Sequence, residues 1–491
     1  MSLPYVKVNV NEENYTHVNT EIPFVPVVIM KTKSGPIGTI ETVRSEKEFI
    51  NKFGNSDYTV PSAYGVQTYL RSYAYVLVTR VTGTSAAIGT GKIQSTDTSA
   101  IDLISVKTKY KTDIFNGKEL SLVYDSENKK LYLTLETPNG IINSVKESIN
   151  LSTAKAPEVE AALDKVIKSL NATDCGVVLT NLYTGKMESD TKPKDFTSLS
   201  VNISEGDCGN GDTISNDVVK GLIDAYCTPE YEIDVMIIPE FNAPEIVNYG
   251  TAKADANDFM YISSRPEKTK DEILSALENY VASPSLVVYA PDVYYQNLKD
   301  TDGNDVAIPA AVAVLHAYAK NDIANKWGAP AGVNRATLNL AKKLVVSFTK
   351  DELDSLYDGR IPVNAINNVS GQGLIVWGQK TTDSETPFMD RINVARLCKY
   401  VKRKTYAMSY KYLFEPITEA LFTKWETAVR ELLDTLVTNN AIAEYKVRMD
   451  SSLNTAETIA QNKLIGQVRI KPLEVAEFID IDLVITDQVE V

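Results

Sequence analysis

The chain has 491 residues, 44% hydrophobic and 23% charged, with a formal net charge of −14. That length exceeds one compact core, so roughly three domains are expected, of ordinary globular composition. The negative balance speaks against general nucleic-acid binding, since phosphate would be repelled, and no run of about 18 apolar residues announces a transmembrane helix.

Residues 1–20 read as an extended polar arm, in which Val6, Val8 and Val10 alternate with Lys7 and Asn9. They lack an apolar signal region, so synthesis in the cytoplasm is expected. Residues 21–86 read as β-α-α-β. An apolar strand over residues 23–30 is followed by a turn at Gly35-Pro36. Ser45 and Glu48 form a capping box for a short helix that Gly54 stops. Pro61 opens a second helix, and residues 74–81 form a strand ending at Arg80-Val81.

Residues 87–205 change in texture. Ser, Thr and Lys alternate with Ile, Val, Leu and Tyr, and Asn116-Gly117 and Asn139-Gly140 read as hairpin-type turns. One helix, over residues 157–170, carries Val159, Ala162, Leu163, Val166 and Ile167. This stretch reads as an inserted, mostly β domain. Residues 206–365 return to helices alternating with apolar strands, at 233–238, 286–289 and 344–348, which argues for a parallel sheet. With residues 21–86 they form a discontinuous middle α/β domain. An Ala-rich helix beginning near Pro309 runs to Asn321-Asp322 and the segment Lys326-Trp327-Gly328-Ala329-Pro330.

Residues 366–477 read as a C-terminal α/β domain. A strand over 374–377 ends in Trp377-Gly378, and Ile392-Asn393-Val394-Ala395-Arg396-Leu397 leads into a basic helix. Phe414-Glu415-Pro416 opens the best amphipathic helix, on which Ile417, Leu421, Trp425, Val429, Leu432 and Leu436 share a face. Residues 478–491 read as an arm strand. Ile479, Ile481, Leu483 and Ile485 fall on one face, and Phe478, Asp480 and Asp482 on the other. A strand with one apolar face needs a sheet to join, since left free it is an aggregation-prone edge.

This order of landmarks resembles the contractile tail sheath proteins of phages and phage-like injection particles. The landmarks are the Trp-Gly strand, the INVxRL and FEP segments, and the run Pro472-Leu473-Glu474-Val475-Ala476-Glu477-Phe478-Ile479. The block over 21–86, with Arg80 at the family's arginine position, and the segment around Trp327 agree with it. The resemblance covers about residues 21–86 and 306–491. It implies an α/β, multidomain fold (α+β overall), with a core of mixed sheets and helices, an inserted outer domain and extended arms. It further implies a subunit that polymerises helically around a tail tube and contracts to drive the tube through a target envelope. Tyr5, Val6, Val8 and Val10, with Phe478, Ile479, Ile481, Leu483 and Ile485, would be strands exchanged between subunits. Partners would be further copies, the tail tube, and baseplate and tail terminator proteins, in a virion tail or phage-like particle assembled in the host bacterial cytoplasm.

Catalytic chemistry is hard to place. The two histidines, His17 and His316, sit in a polar arm and an Ala-rich helix, where structural or solvated roles are expected. Gly89-Thr90-Gly91-Lys92 lacks the earlier glycine and the Ser or Thr of a phosphate loop. The stretch from Asp300 to Asp305 lacks the spacing of a calcium loop and reads as a surface turn. Cys175, Cys208, Cys227 and Cys398 show no CxxC spacing and read as buried thiols. No cofactor, metal site or catalytic residue is expected. Lys399, Lys402, Arg403 and Lys404 form a basic run in an acidic chain. It reads either as a solvated helix face or, following the resemblance, as a contact to an acidic tail tube. Two other readings stay open: a baseplate or surface-array component, or a hydrolase built on residues 206–365.

Overall fold

The run Pro26–Met30 is apolar at every position, which suits a strand covered on both faces. It is β1 of the structure, a computed structural model that describes residues 24–95, 101–183, 199–228, 230–383 and 389–477. β2 (Ile40–Val43), α1 (Glu46–Phe53), α2 (Pro61–Tyr69) and β3 (Val76–Arg80) complete the first block. Ser45 caps α1 by accepting from the Glu48 amide, and Gly54 ends it at φ 79°. Odd and even residues of β1 serve opposite faces. Val28 and Met30 join one core, with α2, and Val27 and Ile29 join the other.

The chain then leaves the sheet through β4 (Ile88–Gln94), β5 (Asp102–Lys111), β6 (Glu119–Asp125), β7 (Lys130–Thr137), β8 (Gly140–Asn143), β9 (Glu147–Ser148), α3 (Ala156–Asn171), β10 (Val177–Asn181) and β11 (Leu199–Asn202). These make two antiparallel sheets, ordered β10-β5-β4 and β11-β6-β7-β8, with β9 beside β7. The face of α3 carrying Val159, Leu163, Val166 and Leu170 closes a core of its own. Asn139-Gly140 turns β7 into β8, as expected for a hairpin. Asn116-Gly117 is a turn but not a hairpin, because β5 and β6 belong to different sheets. Gly89-Thr90-Gly91-Lys92 lies inside β4, so its amides serve a sheet.

The outgoing and returning strands pair at the root of this unit, Gly83 N to Gly209 O at 3.1 Å and Ala87 N to Asp207 O at 2.9 Å. Arg80, fully buried at the end of β3, supplies what the sequence left unexplained. Its guanidinium donates to the Gly35 carbonyl at 2.9 Å and the Cys208 carbonyl at 3.2 Å, pinning the first turn to the returning strand.

The chain re-enters the main sheet through α4 (Asn216–Tyr226), β12 (Val235–Ile237), α5 (Pro244–Asn257), β13 (Met260–Ser264), α6 (Lys270–Ala276), β14 (Leu286–Ala290), β15 (Val293–Lys299), β16 (Asp305–Ile308), α7 (Ala310–Ala313), α8 (Leu315–Asn325), β17 (Ala341–Leu344), α9 (Lys350–Tyr357), β18 (Val363–Val369) and β19 (Gly373–Trp377). The eight-stranded order is β19-β18-β14-β13-β12-β1-β3-β2. Its central strands run parallel, and only the edge strands β2 and β19 are antiparallel. The Trp-Gly strand is therefore an edge of the large sheet. The fold is mixed α/β.

Two differences from the sequence reading have physical causes. α5 was not expected, because its buried face is Ile246, Val247, Gly250, Thr251 and Ala254, mostly small. A Cβ at Gly250 would lie 2.3 Å from the Tyr261 ring, so close packing replaces apolar bulk. The strand expected over 344–348 is β17, which ends at Leu344, its last partner on β15. The loop from Asp300 folds on itself, with its carboxylate accepting from the Asp302 and Asn304 amides at 2.9 and 2.8 Å. The four cysteines are unpaired and half-buried. His17 lies outside the described residues. His316 is packed edge-on against Tyr69, Tyr73 and Tyr295, and burial pulls its pKa down to about 4.

Asp292 follows β14 and accepts from the Ala310 amide at 2.7 Å. Burial pushes its pKa up to about 7, against the opposing pull of that amide. The folded state therefore holds a proton that the unfolded chain releases near pH 4. This group's contribution falls as pH rises from about 4 to about 7, by at most about 1.4 kcal/mol per pH unit, and is level above. Buried His316 acts in the opposite sense between its folded value and about 6.5, so the two must be separated by comparison with a variant. Asp292→Asn keeps the acceptor. Its stability gain over wild type, from urea midpoints, should be near zero around pH 4, grow to about pH 7 and then stay flat. A difference independent of pH would refute this assignment.

Candidate assembly interface

After the large sheet come α10 (Ile392–Ser409), a 3-10 turn (Tyr410–Tyr412), α11 (Glu419–Thr438), β20 (Ile442–Arg448), α12 (Ala456–Ala460) and β21 (Gln467–Pro472). They share a separate core of Leu397, Phe422, Trp425, Val429, Leu433 and Ile442 among others. α11 starts later than the sequence suggested. Thr418 caps it, accepting from the Leu421 amide at 3.2 Å, so Pro416 lies before the helix. The buried stripe takes in Phe422 and Leu433 and leaves Leu432 half-exposed, the drift expected when 3.6 residues per turn is read over five turns. The Trp425 indole donates to Ser409 Oγ at 2.9 Å and ties α11 to the end of α10.

β20 and β21 form a two-stranded antiparallel sheet lying on α11. Among the described residues no third strand joins either outer edge. Two strands alone are marginal in water, and open edges are templates for pairing. Both strands escaped the sequence reading. A bulge between Ile442 and Glu444 breaks the alternation of β20, whereas Val468 and Ile470 alternate with Arg469 and Lys471 and were legible.

The basic run on α10 turns inward. Lys399 is 7% exposed, and its ammonium donates to Oγ of Ser285, the residue before β14. Burial holds its pKa below the ordinary lysine value, with Asp255 and Asp258 opposing. Arg403 donates to the Ile233 carbonyl at 2.6 Å and reaches Asp234 at 3.4 Å. Lys402 meets Asp258 at 2.8 Å and Lys404 meets Glu232 at 3.0 Å. Of the four residues expected to face an outside partner, Lys399 and Arg403 direct their charges into the fold. Lys402 and Lys404 keep more exposure, but each has an internal acidic partner.

Ser285, Lys399 and Asp255 have the contacts of a nucleophile with a lysine base. Ser285 is fully buried and bonded to both neighbours, so no substrate can reach its hydroxyl. The trio docks α10 on the sheet. Among the described residues no group of three or more His, Cys, Asp or Glu is placed to hold a metal ion, and no helix is long and apolar enough to cross a membrane.

Deeper in the same joint, Arg396 makes a bidentate pair with Asp322 on α8, at 2.8 and 2.5 Å. Both side chains are almost without exposure, at 4% and 0%. The guanidinium stands over the Tyr318 and Phe24 rings at 5.3 and 5.9 Å. Beside it Asp234 accepts from the Val25 amide at 3.0 Å and pairs with Lys326 at 3.1 Å. Burial pushes Asp234 up, but Lys326, Arg396 and Arg403 outweigh it and hold its carboxyl below the usual range. Arg396 was legible as a motif residue and not as a partner, because Asp322 lies 74 positions away.

Residues 384–486 match the family model of the phage tail sheath C-terminal domain. The tail sheath protein of Vibrio phage KVP40 is 26% identical over 213 residues, 43% of this chain and 31% of that protein. The chain thus spans about a third of the length of that curated relative. The crystal structure of a sheath tail protein from Desulfitobacterium hafniense superposes with a TM-score of 0.59 at 14% identity, covering 91% of this chain and 94% of that one. The sheath of an extracellular contractile injection system, PVC, in its contracted state gives 0.55 at 15%, covering 99% and 98%. These two share the fold of this chain.

The joint yields a prediction by double substitution. Asp322→Leu alone strands a buried guanidinium and should cost about 3–5 kcal/mol, while Asp322→Leu with Arg396→Met should recover most of that. Tryptophan fluorescence across a urea series measures both. Additive losses in the double variant would show that the two side chains are not coupled.

Proposed function

We propose that this chain is a tail sheath subunit that polymerises helically around a tail tube and contracts to drive the tube through a target envelope. The observation that carries the reading is the two-stranded sheet β20–β21, lying on α11 with both edges unclaimed among the described residues. The alternating segments that include Tyr5, Val6, Val8 and Val10, and Phe478, Ile479, Ile481, Leu483 and Ile485, have the pattern such edges accept. Strand addition supplies backbone hydrogen bonds for strength and alternate side chains for register. Head-to-tail contacts that do not close generate helices, and strands exchanged between copies would keep them linked while domains rotate.

The proposed division is an arm over 1–20, a middle α/β domain over 21–86 and 206–365, and an outer insert over 87–205. An inner domain over 366–477 and an arm over 478–491 complete it. Further copies, the tail tube, and baseplate and terminator proteins are the proposed partners, in a virion tail or injection particle assembled in a bacterial cytoplasm. The role is mechanical and needs neither catalysis nor cofactor. The tube contact is best sought on surfaces other than the buried half of the 399–404 run.

Full-length protein, viewed by negative-stain electron microscopy alone and with purified tube protein, should form striated hollow tubes or stacked rings. Removing residues 478–491 should leave a folded monomer. Tubes of normal length from that truncation would sink strand exchange, and monomers from the full chain even with tube protein would sink the sheath reading.

A further inference from the structure

After β21 the chain runs exposed from Leu473 to Ala476, tied near its start by the Leu473 amide donating to the Ala441 carbonyl at 3.1 Å. At Glu477 this changes. Its carboxylate accepts from Arg391 Nε at 2.5 Å, from Gln379 Nε2 at 2.9 Å and from the Tyr357 hydroxyl at 3.3 Å. These partners come from three places: the end of α9, the loop after β19 and the residue before α10. The Tyr357 hydroxyl also accepts from the Gln379 amide at 3.5 Å, and the Lys380 ammonium lies 4.1 Å from the centre of the Tyr357 ring. The Glu477 side chain is 17% exposed although the four residues before it are open to solvent. The clamp joins the chain after β21 to α9, to the loop after β19 and to the start of α10. It secures a point on the chain.

We propose that Glu477 is a positioning residue for assembly. By holding the chain at Arg391, Gln379 and Tyr357, it fixes where and in which phase the residues after it leave the subunit toward a second copy of this chain. This rests on the strand-exchange reading above. The apolar residues Ile479, Ile481, Leu483 and Ile485 share the parity of Glu477. A slip of one residue at the root would turn that whole set to the other face of the sheet it joins. A fixed root also lowers the ordering that association must supply.

The test uses the full chain and three variants: Glu477→Ala, the exchange Arg391→Glu with Glu477→Arg, and removal of residues 478–491. A single ion pair that keeps some solvent contact contributes little to stability, so Glu477→Ala should move the melting temperature of the monomer by less than about 3 °C. Its tube yield, by sedimentation and electron microscopy, should fall about tenfold or more, the effect of about 1.4 kcal/mol per contact. The charge exchange should restore a substantial part of that yield. The clamp is overturned if Glu477→Ala builds tubes like wild type while the truncation does not, an outcome that leaves the sheath reading standing. It is also overturned if tubes disappear only together with cooperative melting and the exchange restores neither. Absence of tubes from the wild-type chain, with and without tube protein, would remove the sheath reading and this inference with it.

Discussion

The pair between Arg396 and Asp322 is the constraint on which the arrangement of this chain turns. Removing two charges from water is costly, and a buried pair often does no better than apolar residues of the same size. Its value here lies in direction. The planar guanidinium offers two parallel donors to one carboxylate and so admits one approach of α10 to α8. Hydrophobic contact alone would let α10 slide or rotate on the sheet by a fraction of a turn. Asp234 with Lys326 and Arg403, and Ser285 with Lys399, then fix the same helix at two further points.

That joint explains what much of the basic run does within the fold. A stretch such as Lys399-Tyr400-Val401-Lys402-Arg403-Lys404 has the composition of a solvated face, and sequence carries no record of what lies opposite. Its acceptors are Asp234, Asp258, Glu232 and Ser285, each more than a hundred residues earlier. Long-range pairing of this kind is invisible to periodicity. Local signals fared better. The Ser45 cap and the apolar stripe of α3 are both present, because each depends on neighbours three or four residues away. α5 escaped because small residues and a glycine make its contact, and β20 escaped because a bulge breaks its period.

The site was legible in the same uneven way. Glu477 and Arg396 both lay inside segments that marked the resemblance, yet as letters in a pattern. A charge enclosed by apolar neighbours, as Arg396 is by Ala395 and Leu397, is the available hint that a partner is needed. What the hint lacks is the partner's identity, which only the fold supplies. The edges of the β20–β21 sheet are a different case, because their meaning comes from what does not pair with them among the described residues.

A rigid joint and an open sheet edge have to work together if subunits trade strands. An edge that wandered relative to the large sheet would present its hydrogen-bonding groups at varying angles, and each encounter would then have to order it again. With α10 held at several points and α11 tied to α10 through Trp425 and Ser409, the edge of β20 keeps one orientation relative to the eight-stranded sheet. The insert lies at the other end of this chain of attachments. It hangs from two paired strands pinned by Arg80, with its own core. Length or shape can change there without disturbing the joint, whereas a change at Arg396 would alter the aim of every strand edge that follows it.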